Sequence, residues 1–234
     1  MIEAGPWLRK LEQDTAALRE SSEPAAVHQL RVATRRLAAW LRLGGLHVLR
    51  DDLRWLRGVA GAVRDIDVVL EVEGDPAWTR WLRSERRVRH QALGAAVGSE
   101  RTAGLLLALS SLPPVDRHLA QSRLGRLAGN ALAAGEELEA TPDDPERFHQ
   151  LRRTVRMLRY GLEWLDEKTG AFRAFQDVSG LAADRAMSLR LLGVYPDAEA
   201  LAARRAQLEA EYAERRRDAL EAWAALRHRV RALE

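Results

Sequence analysis

The segment Val27-His28-Gln29-Leu30-Arg31-Val32-Ala33-Thr34-Arg35-Arg36-Leu37 returns 121 residues later as Phe148-His149-Gln150-Leu151-Arg152-Arg153-Thr154-Val155-Arg156-Met157-Leu158. His, Gln, Leu, Arg, Arg and Leu fall at identical offsets in the two copies. The next stretch echoes more weakly. Val59-Ala60-Gly61-Ala62-Val63-Arg64-Asp65 matches Val178-Ser179-Gly180-Leu181-Ala182-Ala183-Asp184 at Gly and Asp, with a spacing of 119. A repeat this long marks a duplicated supersecondary unit, with the two halves meeting near Pro113-Pro114. Duplicated helical hairpins usually close one core by packing on each other. One pseudo-symmetric domain over 1–234 is therefore expected, with repeats at about 5–112 and 115–234.

Each half reads as helix. Ala, Leu, Arg and Glu dominate, apolar residues recur every three or four positions, and no stretch sustains the alternation of a strand. Breakers at Ser21-Ser22-Glu23-Pro24, Gly44-Gly45, Gly74-Asp75-Pro76, Pro113-Pro114, Thr141-Pro142-Asp143-Asp144-Pro145, Thr169-Gly170 and Tyr195-Pro196 divide the chain. They predict helices at about 6–20, 25–43, 47–72, 77–97, 100–111, 115–140, 144–167, 171–192 and 197–232. Ser22 or Glu23 ahead of Pro24, and Asp144 ahead of Pro145, read as caps followed by proline at the first helical position. The fold class is all-α, and 234 residues suffice for a sizeable core.

Absences narrow the chemistry. Without cysteine there is no disulfide, thiolate nucleophile or thiolate metal site. The longest apolar run, Gly104-Leu105-Leu106-Leu107-Ala108-Leu109, falls far short of the roughly 18 residues of a membrane span. Met1-Ile2-Glu3-Ala4-Gly5-Pro6-Trp7 lacks the basic and then apolar layout of a signal peptide, so a cytoplasmic protein with no membrane partner is expected.

The charge distribution is the main functional signal. The net charge is only +3, yet the pI is about 9.8, because arginine supplies all the basic residues except Lys10 and Lys168. Residues 24–50 hold five arginines, two histidines and no acid, and residues 147–162 hold five arginines, one histidine and no acid. The rest of the chain is therefore net acidic. With His28 at zero on a helical wheel, Arg31, Arg35 and Arg42 fall at about 300°, 340° and 320°, opposite Leu30, Leu37 and Leu41. The second copy places Arg152, Arg156 and Arg159 at about 300°, 340° and 280° from His149, opposite Leu151, Leu158 and Leu162. A solvated helical face mixes signs, because like charges at i,i+4 cost about 0.2–0.5 kcal/mol per pair. Two stripes without acids point to an anion as the missing countercharge.

The residue types suit phosphate. Guanidinium forks bind oxyanions in bidentate fashion. His28 and His149 have no neighbouring ligands at metal spacing and no adjacent nucleophile or carboxylate, so neither a metal nor a catalytic role is expected. Hydrogen-bond donation to an anion remains for them. His47, His90, His118 and His228 read as structural, and Trp7, Trp40, Trp55, Trp78, Trp81, Trp164 and Trp223 as core or seam residues. Arg54 and Arg57, with Arg80, Arg83 and Arg87, either extend a basic surface or form a solvated face.

These motifs resemble the CHAD family of helical domains, over essentially the whole chain. The resemblance rests on the His28 segment, on Val63-Arg64-Asp65-Ile66-Asp67-Val68, on the His149 segment through Arg159-Tyr160, and on Phe175-Gln176-Asp177-Val178-Ser179-Gly180. It implies two four-helix halves related by pseudo-twofold symmetry, packed as one bundle with a central basic cavity or groove. It also implies non-catalytic binding of inorganic polyphosphate, with association with polyphosphate granules. The ligand positions carried over are His28, Arg31, Arg35, Arg64, His149, Arg152, Arg156 and Arg159; the wheel adds Arg42. Arg36 points to about 80° and is second-rank, together with Arg54, Arg57 and Arg153. Met157 and Ala183 stand where the first half has Arg36 and Arg64, which implies an asymmetric site. Relatives often carry a triphosphate-tunnel catalytic domain marked by acid-x-acid-x-Lys on a strand. Glu71-Val72-Glu73-Gly74-Asp75 lacks the lysine and the strand. No cofactor is expected. The alternatives are a nucleic-acid binder, a phosphate-processing enzyme, and a helical module docking an acidic protein.

Overall fold

Proline sets where four of the helices begin. Pro6 lies in the first turn of α1 (Gly5–Glu20), and Pro24, Pro76 and Pro145 open α2 (Pro24–Gly44), α4 (Pro76–Val97) and α7 (Pro145–Trp164). A fixed φ and a missing N–H cost nothing in a first turn. Asp75 accepts from the Trp78 amide at 2.8 Å, and Asp144 from the Glu146 and Arg147 amides at 2.8 and 3.3 Å. Each such cap contributes about 1 kcal/mol. The expected cap on α2 is present in position only. Glu23 occupies the N-cap without a side-chain bond, and its amide donates instead to Ser21 Oγ at 3.1 Å.

The computed structural model describes residues 1–72 and 74–234; Glu73, in the acidic run considered above, lies outside them. The remaining helices are α3 (Arg50–Leu70), α5 (Glu100–Ser110), α6 (Arg117–Ala140), α8 (Gly170–Leu192) and α9 (Ala202–Arg231). Among the described residues there is no strand, and no helix is long and apolar enough to cross a membrane. Three boundaries differ from expectation for local reasons. Leu49 and Asp166 adopt left-handed φ of 61°, so α3 starts later and α7 ends earlier than periodicity suggested. The last helix is preceded by a 3-10 turn, Ala198–Leu201.

The chain divides into two units, Met1–Asp116 and Arg117–Glu234. In the first, α1, α2, α3 and α4 pack each on the next, α4 returns to α1, and α5 lies against α1, α3 and α4. Its core includes Leu11, Leu30, Leu37, Trp40, Leu53 and Ile66. Ile2 and Val115 close the unit through a pair of backbone hydrogen bonds at 2.7 and 3.0 Å, and the Trp40 indole donates to the Ile2 carbonyl at 2.9 Å. The second unit repeats the ring with α6, α7, α8 and α9. Phe175 and Trp223 meet edge to face at its centre, with ring centroids 6.1 Å apart.

The α6–α9 contact depends on one glycine. A methyl group at Gly135 would overlap the buried Trp223 indole, whereas Gly104 on α5 faces open space. Gly135→Ala should lower stability by roughly 1–3 kcal/mol in urea unfolding, an overpacking cost. Gly104→Ala should raise it by about 0.5–1 kcal/mol through helix propensity.

Candidate anion-binding site

Helix α2 buries Val27, Leu30, Ala33, Thr34, Leu37 and Leu41 and leaves His28, Arg31 and Arg35 at or near the surface. The apolar face fixes the helix, and the helix then fixes where the cations project. Arg31 turns toward α3. Its guanidinium lies over Gly61, where a built Cβ would be 3.9 Å from Cζ, and Nη1 donates to the Gly61 carbonyl and to Asp65 Oδ1, each at 3.3 Å. From α3, Arg64 Nη1 contacts Glu71 Oε1 at 2.8 Å. Arg57 lies two turns before Arg64 on the same face of α3 and is half-buried.

Arg64, Arg35 and Arg31 act together on His28. Burial holds its ring below the usual 6.5, and the charges of Arg64, Arg35 and Arg31 push further down, opposed by Glu71. Three guanidinium groups from two helices therefore act on one imidazole. The helical wheel drew Arg31 and Arg35 into this group on α2; Arg42, which it also drew, turns back on its own helix, and Arg64 comes from α3.

The second unit builds a related cluster. Helix α7 buries Phe148, Leu151, Val155, Leu158 and Leu162. Arg156 Nε donates to Gln176 Oε1 on α8 at 3.0 Å, and Gln176 Nε2 donates back to the Arg152 carbonyl at 3.3 Å. Gly180 lies beneath Arg152 as Gly61 lies beneath Arg31, with a built Cβ 3.5 Å from Nη2. Burial lowers the His149 pKa; Glu146 opposes this, and Arg152, Arg153 and Arg156 add to it.

The other predicted positions sort by their contacts. Arg36 stacks on the Trp7 ring at 4.2 Å, in keeping with its place off the stripe. Arg42 folds back on its own helix and donates to the Ala38 carbonyl at 3.2 Å. Arg54 pairs with Asp51 at 2.7 Å on the surface. Arg153 donates to Gln150 and is exposed. Arg159 is held tightly: Glu163, only 9% exposed, binds it at 2.7 Å, and its guanidinium lies 4.5 Å from the Tyr160 ring centroid. Arg80, Arg83 and Arg87 are exposed on α4.

The first cluster therefore carries more countercharge than the sequence suggested, because Asp65 pairs with Arg31 of the α2 stripe and Glu71 with Arg64 of α3. The Arg64-Asp65-Ile66-Asp67 run gains a second role that sequence reasoning missed. Buried Asp67 binds Arg86 Nε at 2.5 Å, and Arg86 Nη2 donates to the Ser22 carbonyl at 2.7 Å, which ties α3 and α4 to the loop that launches α2. Arg216 does the corresponding work on α9, donating to the Pro142 and Asp144 carbonyls ahead of α7. The matched Gly61/Gly180 and Asp65/Asp184 positions were the signal that α3 and α8 shape the stripes.

A family model described as CHAD domain matches residues 5–192. The crystal structure of the CHAD domain from the plant Ricinus communis is similar, with a TM-score of 0.68 and 23% identity over 98% of this chain and 88% of that one. PptA from Streptomyces chartreusis is also similar, with a TM-score of 0.67 and 19% identity over 96% of this chain and all of that one. No curated protein matches.

Burial and the neighbouring guanidinium groups hold both imidazoles below 6.5. Protonating them costs folding free energy, so stability should fall as pH drops below 6.5 toward the lowered midpoints. Arg64→Ala should move the His28 midpoint back up toward 6.5 and leave that of His149 in place, as read by NMR titration of the ring protons.

Proposed function

The chain belongs to the CHAD domain family, and on that premise we propose that it binds inorganic polyphosphate without catalysis, through the two Arg/His-striped helices α2 and α7. The observation that carries this reading is the convergence of Arg31, Arg35 and Arg64 on His28, echoed by Arg152, Arg153 and Arg156 around His149. The family is associated with polyphosphate binding, and the cluster chemistry suits it. Arginine forks contact successive phosphates, each imidazole donates an N–H, and condensed counterions leave the polyanion. Cytoplasmic placement, on polyphosphate granules, belongs to the same proposal.

Two features favour this over the rival readings. Three of the seven tryptophans are buried and the other four only partly exposed, which offers little aromatic platform for unpaired bases. Phosphoryl transfer commonly uses carboxylates gathered around metal ions. Among the described residues no group of three or more His, Asp or Glu side chains is placed to hold one.

The test is equilibrium binding of long-chain polyphosphate by the native chain and by a variant with Arg31, Arg35, Arg152 and Arg156 changed to alanine. The variant should keep its helical circular dichroism and lose at least about a hundredfold in affinity, since each charge-assisted hydrogen bond contributes roughly 1.5–3 kcal/mol. Retained affinity would remove the site. Displacement by duplex DNA or RNA at equal phosphate concentration would favour the nucleic-acid reading, and metal-dependent phosphate release the enzymatic one.

Binding should also respond to pH. A bound polyanion stabilises the imidazolium forms, so complex formation takes up protons and affinity rises as pH falls from 7.5 to 5.5. Changing both His28 and His149 to glutamine should flatten that profile.

A further inference from the structure

Of the carboxylates on the first cluster, Glu71 is unlike the rest. Asp65 is 18% exposed and wedged between α2 and α3, where it holds Arg31 in place. Glu71 caps the end of α3, is 60% exposed, and reaches back two turns to Arg64. Among the described residues Arg64 is its one side-chain partner, at 2.8 Å. It is also, among the described residues, the one carboxylate whose charge acts on His28 against the three arginines. The repeat treats the two residues as a pair. At the 119-residue offset, Ala183 replaces Arg64 and Arg190 replaces Glu71, so the second unit lacks both.

We propose that the Glu71 carboxylate is a displaceable stand-in for ligand phosphate: it occupies Arg64 beside His28 in the empty protein, and a binding anion must remove it. This rests on the polyphosphate reading and names a residue that sets the selectivity of that site. A carboxylate presents two oxygens to a guanidinium much as a phosphate does. An exposed ion pair of this kind contributes only about 0–1 kcal/mol, so exchange is cheap. A monophosphate gains little by making that exchange alone. A chain already anchored on Arg31 and Arg35 delivers its next phosphate at high effective concentration. Glu71 thus sets a threshold that long polyanions cross and small phosphates do not, and Glu71→Gln lowers it.

The experiment compares the full native chain with E71Q, R64A and the R64A/E71Q double variant. The probes are inorganic phosphate, tripolyphosphate and long-chain polyphosphate, at low salt. Glu71 is exposed, so E71Q should fold as the native chain does and unfold no more than about 4 °C below it. E71Q should bind tripolyphosphate about two- to fivefold more tightly, the factor that corresponds to an exposed ion pair. The gain on long chains should be smaller. In the R64A background the same substitution should change little. Equal or weaker binding by E71Q overturns the inference. So does an undiminished gain in the R64A background, which would mark Glu71 as a diffuse repulsive charge. If the native chain binds no polyphosphate of any length, the functional reading falls first and takes this one with it.

Discussion

The guanidinium of Arg31 rests on the bare backbone of Gly61, donating to that residue's carbonyl and to Asp65 one turn on. Much of the arrangement follows from this contact. A planar cation lying across a neighbouring helix would meet a Cβ at Gly61 at 3.9 Å, an ordinary contact, so the residue beneath it must stay small. Its charge, half removed from water, needs an acceptor within reach. Asp65 meets the second requirement from the same helix face. The consequence is an α2–α3 pair held by polar contacts along one edge and by leucine packing along the other. Arg31 is therefore fixed on that edge before any ligand arrives. The second unit reproduces the glycine beneath the arginine at Gly180 and Arg152, and uses the neutral Gln176 where α3 carries Arg57.

What the sequence revealed and what it concealed divide along the same physical line. Helix faces are local: the spacing of Leu30, Leu37 and Leu41 against His28, Arg31 and Arg35 is a property of one segment, and the structure buries and exposes those residues as the wheel requires. Proline positions and the Asp144 cap are equally local. Countercharge is not. The acid-free windows at 24–50 and 147–162 are real, but Asp65 lies beyond the first window in sequence and reaches Arg31 in space, while Glu71 pairs with Arg64 on α3. Asp67 and Arg86 were hidden for the same reason, since a buried pair between two helices leaves no periodic trace. The left-handed turn at Leu49 was illegible too, because leucine rarely adopts positive φ; aspartate does so more readily, but a single Asp166 does not by itself mark a turn.

The arginines also differ in how firmly they are held, and that difference bears on recognition. Arg159 is locked by the buried Glu163 and Arg36 by the Trp7 ring. Arg64 and Arg153 meet partners near the surface. Cations locked in place need no reordering to receive an anion, though one paired with a carboxylate, as Arg159 is, adds little net potential. Mobile ones lose rotamer freedom when they close on it, roughly 0.5–1.5 kcal/mol per side chain. A site mixing the two kinds favours ligands that bring many charges on one flexible backbone. The fixed cations supply the first attachment, and each later contact then becomes intramolecular. A compact anion with the same charge per phosphate can reach only part of such an array. On the proposed reading, selectivity for chains over small phosphates follows from how the arginines are held, and needs no element that reads anything but charge and spacing.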